Sequence, residues 1–118
     1  MNNKDFIVHI CTRYSWEKAH PRGDYRAPSL ETEGFIHCSH PDQVLTVANH
    51  LYQDTPDLVI LWIDPQKVGN EIRYEPGRDS PLETFPHIFG PLNLDAVIAV
   101  YDFKPASDGV YREVPGFI

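Results

Sequence analysis

Between Pro56 and Pro65 the chain reads DLVILWID, with six consecutive apolar residues, Leu58 to Ile63. A strand with no polar face belongs in the interior, covered on both sides. The rest of the chain is heavily punctuated, with 11 Pro and 7 Gly in 118 residues. Turns and short elements are therefore expected rather than long helices. A chain of this length makes one domain over residues 1–118, because a second would leave neither half a proper core. Hydrophobic residues at 42% and charged residues at 23% match an ordinary folded protein and exclude a disordered one.

Alternation predicts further strands. In Asp5–Cys11, Phe6, Val8 and Ile10 share one face, and Ile7, His9 and Cys11 the other. Both faces are mostly apolar, so this strand is expected to be central. Phe35–Ser39 places Phe35, His37 and Ser39 on one side and Ile36 and Cys38 on the other. Glu71–Glu75 alternates as a half-exposed strand, Phe85–Phe89 is a short one, and Ala96–Phe103 is the last strong one. The tail Tyr111–Ile118 reads as an edge strand or a packed segment.

Helix is expected over Trp16–Ala19, capped by Ser15 and ended by Pro21 and Gly23. Arg22–Ser29 reads as a loop, Ser29–Glu33 as one helical turn, and Arg78–Glu83 as a mobile polar segment. The clearest helix is Pro41–Gln53, where Val44, Val47, Ala48, Leu51 and Tyr52 form one stripe. Ser39 would cap it by accepting from the Asp42 amide. The order β, α, β, α, then a run of strands is an α+β pattern.

The net charge of −7 argues against extended nucleic acid as a partner, since phosphate contacts need clustered Lys and Arg. Arg13, Lys18, Arg22 and Arg26 lie close in sequence and form a candidate pocket for a small anion. Cys11 and Cys38 sit in strand-like runs and read as buried free thiols of a reducing compartment. No apolar stretch approaches the roughly 20 residues of a membrane span. The N-terminus MNNKDFIVHI lacks a secretory h-region, so a cytoplasmic protein is expected.

His9, His37 and His87 stand in apolar or aromatic strand runs. A single strand histidine is ordinarily a satisfied core residue, but three in one small sheet require three desolvated rings with six nitrogens to satisfy. A metal site at His37, Cys38 and His40 is disfavoured because His37 and Cys38 leave opposite faces of a strand, and no second ligand pair follows. A Cys38 nucleophile is disfavoured because nothing nearby lowers its pKa.

The strings IVHI, EGFIHCS, QVLTVANHLY, DLVILWID and FPHIFGPLNLDAVIAV, with Trp16 and the Tyr25–Ser29 loop, resemble the bacterial domain-of-unknown-function family nine-five-two. The resemblance runs roughly from Phe6 to Phe103. That family is grouped with the ADP-ribosyltransferase-like superfamily. The resemblance implies a single α+β domain of split antiparallel or mixed β-sheets with flanking short helices, and NAD in the cleft between the sheets.

By position, the resemblance implies His9 as the first-strand residue that holds the cofactor ribose. It implies His37 or Ser39 as the residue lining the nicotinamide. His87 stands for the late-strand catalytic position, with Glu75 as the substitute. Tyr25 would offer a stacking face, and Arg13, Arg22 and Arg26 would meet a pyrophosphate with forked donors. The implied activity is that of an NAD-dependent ADP-ribosyl or phosphotransfer-type transferase. The RNA 2′-phosphotransferases are the better analogy, because no unambiguous catalytic Glu is present. The alternative is a non-catalytic ligand-binding or interaction module that keeps the fold. A small nucleotide is the expected partner, and no metal or membrane is expected.

Overall fold

The run between Pro56 and Pro65 is the middle strand of an antiparallel sheet in the computed structural model, which describes residues 5–78 and 80–116. This strand, β4 (Leu58–Ile63), lies between β1 (Ile7–Thr12) and β8 (Val97–Phe103). Every residue of β4 is buried, as a strand covered on both faces requires. The β1 strand is therefore not central, contrary to the sequence expectation. Both its faces are buried because layers cover the sheet on both sides, not because it has two long partners. Among the described residues its outer edge is met at Ser39: Val8 and Ser39 exchange two backbone hydrogen bonds of 2.8 Å each.

A second antiparallel sheet has the order β3 (Ile36–His37), β6 (Thr84–Ile88), β5 (Ile72–Pro76). A third pairs β2 (Asp24–Tyr25) with β7 (Leu92–Asn93). The three helices of the described residues are α1 (Arg13–Arg22), α2 (Ser29–Thr32) and α3 (Val44–Leu51). Single 3-10 turns at Pro65–Lys67 and Leu94–Ala96 complete the elements. The architecture is α+β with several antiparallel sheets and short helices, and every strand pairing is antiparallel.

The sheet β1-β4-β8 separates two apolar layers. On one side Val8, Ile10, Ile60, Trp62 and Phe103 pack with Val44 and Ala48 of α3 and with Tyr111. On the other, Ile7, Cys11, Leu61 and Ile63 pack with Tyr25, Ile36, Cys38, Ile88 and Leu92. Each fully buried aliphatic side chain contributes about 1.5–3 kcal/mol relative to exposure.

Local chemistry explains where the helices depart from expectation. Thr12, not Ser15, caps α1: its hydroxyl accepts from the Ser15 amide at 3.1 Å. Pro21 lies inside the helix rather than ending it, and Gly23 ends it, with φ +93 and its amide donating to Ala19 O at 2.8 Å. That left-handed conformation is one only glycine adopts freely.

The α3 helix starts at Val44 rather than Pro41 and without a Ser39 cap; the Ser39 backbone pairs with Val8, and Gln43 Oε1 accepts from the His40 amide at 2.9 Å. Leu51 is 60% exposed, and Leu45 takes its expected place against the core. The expected loop 22–29 contains β2. Tail residues 111–116 form no strand; Trp62 Nε1–H donates to Pro115 O at 2.8 Å. The tail's last two residues, residue 79 of the expected mobile segment, and residues 1–4 lie outside the described residues. No described helix is long and apolar enough to cross a membrane.

Candidate functional site

The second sheet has one face against the core and one outward. Alternation decides which side chains go where. Ile36 and Ile88, directly paired across β3 and β6, point inward and are fully buried. Their neighbours His37 and His87, also directly paired, share the outward face. Phe35 and Phe89 flank them there. The Phe35 ring stacks on His87 with centroids 4.1 Å apart and planes at 15°, and it meets His37 edge-on at 4.7 Å. The two imidazoles themselves are T-shaped, with centroids 5.2 Å apart.

Each imidazole is held by a carboxylate. His37 Nε2–H donates to Glu33 Oε2 at 2.9 Å, one turn of chain earlier. His87 Nδ1–H donates to Glu75 Oε1 at 2.8 Å, across the neighbouring strand. A carboxylate only accepts, so these bonds place the proton on Nε2 of His37 and on Nδ1 of His87 in the neutral rings. The other nitrogen of each ring is then left with a lone pair. His37 is exposed. His87 is mostly covered, yet no buried side-chain nitrogen or oxygen among the described residues lacks a partner, so its unbonded Nε2 keeps some contact with solvent. Arg78 donates to the other oxygen of Glu33 at 3.1 Å. The His37 hydrogen bond first, and then the nearby charges, hold Glu33 below the usual carboxylate range. Arg73 lies over the Phe89 ring at 4.2 Å.

His9 belongs to a different environment. It is buried, its Nδ1–H donates to the backbone carbonyl of His37, and the Tyr25 hydroxyl donates to its Nε2 at 2.8 Å. The Cys11 thiol is in hydrogen-bond contact with the same hydroxyl. Burial pushes the His9 pKa down to about 4, so the ring is neutral, with both nitrogens engaged inside the fold. Burial pushes the Cys11 thiol up to about 12 and raises Cys38 as well. Cys38 faces the core and His37 the outside, as the alternation requires.

Of the residues expected at a site, then, the fold unites His37, His87 and Glu75 on one open face. It places His9 and Tyr25 beneath that face, with Tyr25 wholly enclosed. Ser39 is buried in the joint between the sheets. Arg13 stands apart, at the end of β1, where it is paired with Asp57 at 3.0 Å and with Asp102. Arg22 and Arg26 both bond Asp24, at 3.2 and 3.0 Å, so these two guanidiniums share one carboxylate. Sequence reasoning did not single out Glu33, Phe35 or Arg78 for this face. Glu33 stands four residues before His37, and Phe35 shares the alternation of His37; both signals are in the sequence. A surface hollow of about 230 Å³ lies elsewhere, between Gln53–Leu58 and Phe103–Pro105.

Residues 10–100 match the family model described as a protein of unknown function, DUF952. The chain belongs to this family. No curated protein matches the chain. Among solved structures, the chain is similar to protein CC0527 from Caulobacter crescentus. The crystal structure of CC0527 is 27% identical with a TM-score of 0.80, over 91% of this chain and 93% of that one. A double mutant of the same protein superposes equally well. Its solution structure gives a TM-score of 0.77 at 27% identity, over 92% of both chains. The DUF952 match takes in the whole outward-facing cluster, from Glu33 to Phe89.

Proposed function

We propose that this DUF952 chain is a nucleotide-binding domain of the ADP-ribosyltransferase type, taking NAD or a related ribonucleotide on the outward face of β3-β6-β5. One observation carries the reading: two histidines, each held by a glutamate, stand side by side around an aromatic ring on the outward face of one sheet, His37 exposed and His87 mostly covered. The free nitrogen of each neutral ring accepts from a ribose hydroxyl, and once the ring is protonated it donates to a phosphate oxygen. Phe35 and Phe89 offer rings against which a base or nicotinamide stacks. Arg73 and Arg78 supply forked donors for phosphate. The meeting of two small antiparallel sheets at Val8 and Ser39 supports the split-sheet arrangement that such a fold implies.

Roles follow from position. His37 and His87 contact the ligand, Glu33 and Glu75 orient them, and His9 with Tyr25 braces the floor. A transferase in this frame must hold the ribose while the nicotinamide–ribose bond passes through an oxocarbenium-like state.

Calorimetry with NAD, ADP-ribose and a 2′-phosphorylated RNA end tests the reading. At least one should bind, and His87→Ala should weaken it by roughly 5- to 150-fold, the loss of a hydrogen bond of about 1–3 kcal/mol. Folded protein that gives no heat with all three ligands would refute the proposal. Binding without turnover would identify a ligand-binding module.

A further inference from the structure

We infer that the His37–Glu33 and His87–Glu75 pairs together form a general acid–base couple that cleaves a ribonucleotide phosphodiester through the substrate's own 2′-hydroxyl. This deepens the nucleotide reading above and rests on it.

One carboxylate-held imidazole is a base; two, facing the same side of one sheet, are a base and an acid. His37 and His87 sit opposite each other on adjacent strands with centroids 5.2 Å apart, so one phosphodiester group can reach both rings. Each glutamate fixes the tautomer and leaves one nitrogen to the substrate: Nδ1 of His37 and Nε2 of His87. Such a carboxylate also stabilises the imidazolium when it forms.

The nucleophile is the informative gap. Among the described residues no serine, threonine or cysteine side chain is hydrogen-bonded to either ring, and both thiols are buried in the core. A substrate that brings its own nucleophile removes the need for one. A ribose 2′-hydroxyl beside a 3′-phosphodiester is such a substrate. The Phe35 and Phe89 rings suit its base. Arg78, 82% exposed at its side chain, suits its phosphate.

The step balances. The neutral imidazole takes the 2′-hydroxyl proton as O2′ bonds to phosphorus. The P–O5′ bond breaks, and the protonated imidazole gives its proton to the leaving O5′. The products are a 2′,3′-cyclic phosphate and a free 5′-hydroxyl. Protons are conserved, and exchange with water resets the two rings.

The test uses the full chain with a uridine–adenosine ribodinucleotide, its 2′-deoxy analogue, and EDTA as a separate arm. The ribodinucleotide should yield uridine 2′,3′-cyclic phosphate and adenosine, with or without EDTA, while the deoxy analogue binds and stays intact. The rate should be bell-shaped in pH, because one ring must be neutral and the other charged. His37→Gln and His87→Gln should each lower the rate about 100-fold or more at an unchanged melting temperature. Should either fail to fold, Glu33→Gln, on the exposed rim, should still lower the rate and shift one limb of the pH profile. Binding of the deoxy analogue with no cleavage of the ribodinucleotide would overturn the couple and leave the nucleotide reading standing. Cleavage that survives both histidine changes, or that EDTA abolishes, would also overturn it. Failure of every nucleotide to bind would remove both readings.

Discussion

The Tyr25 hydroxyl donates to Nε2 of His9 across 2.8 Å, joining the two-residue strand β2 to the first strand of another sheet. With the His9 Nδ1–H given to the His37 carbonyl, every polar end of this buried pair has a partner. A polar group placed so deep is tolerated only on that condition.

Acid should expose the cost of keeping His9 neutral. Its pKa is pushed down to about 4 in the fold, against an ordinary 6.5. Between those values the unfolded chain binds a proton that the native chain does not, so stability rises with pH there. The contribution is complete above about 6.5 and is lost as pH falls toward 4, by on the order of 3 kcal/mol. Urea midpoints from pH 7.5 to 4.5 measure this, and His9→Phe should flatten the trend. An equal slope in the variant would show that other groups set the acid limit.

Tyr25→Phe removes one hydroxyl and leaves the His9 Nε2 lone pair buried without a donor. The expected loss is about 1–3 kcal/mol. Combining it with His9→Leu should cost less than the sum of the two single changes, because the orphaned nitrogen goes too. Strict additivity in the denaturation cycle would contradict the coupling.

Arg13 should behave as a surface ion-pair residue. It bonds Asp57 and Asp102, both more than half exposed at their side chains. Arg13→Ala should barely move the urea midpoint, and less still in high salt, because exposed ion pairs are screened by water and ions. Nucleotide affinity should stay unchanged. A loss of affinity at constant stability would return Arg13 to the ligand site.

The tail is fixed by close approach. Gly116 has φ +139, and a Cβ there would run into the Trp62 indole. Gly116→Ala should displace the tail, break the Trp62–Pro115 hydrogen bond and cost about 1–3 kcal/mol, as overpacking does. Trp62 emission, read in a Trp16→Phe background, should shift to the red. An unchanged spectrum would mean the tail does not shield the indole.

The sequence made the strands legible where apolar runs carried the signal: β4 between its prolines, β8, and the alternating faces of β1 and β3. It hid β2, because two residues have no period and Tyr25 is buried only by what tertiary structure brings over it. It also hid the end of α1, since Pro21 was read as a stop whereas the helix continues to Arg22. For the site, alternation put Phe35, His37 and Ser39 on one side; Phe35 and His37 meet there, whereas Ser39 is buried at its bridge to Val8. The partnership of His37 with His87, 50 positions away, depends on sheet register, which the sequence does not encode locally. His9 does lie on the face away from Val8 and Ile10, but that face is roofed by the second sheet, so it opens onto the core instead of a cleft.

Val8 and Ser39 form a joint one residue wide between the two sheets. Such a joint fixes location and leaves tilt to be set by whatever is wedged behind it. The wedge is the layer in which Ile36 and Ile88 meet Ile7 and Ile63, back to back with His37 and His87. The volume of those hidden side chains is therefore the setting screw of the outward face. Substitution in this layer re-aims the histidines without altering any residue that a ligand would touch.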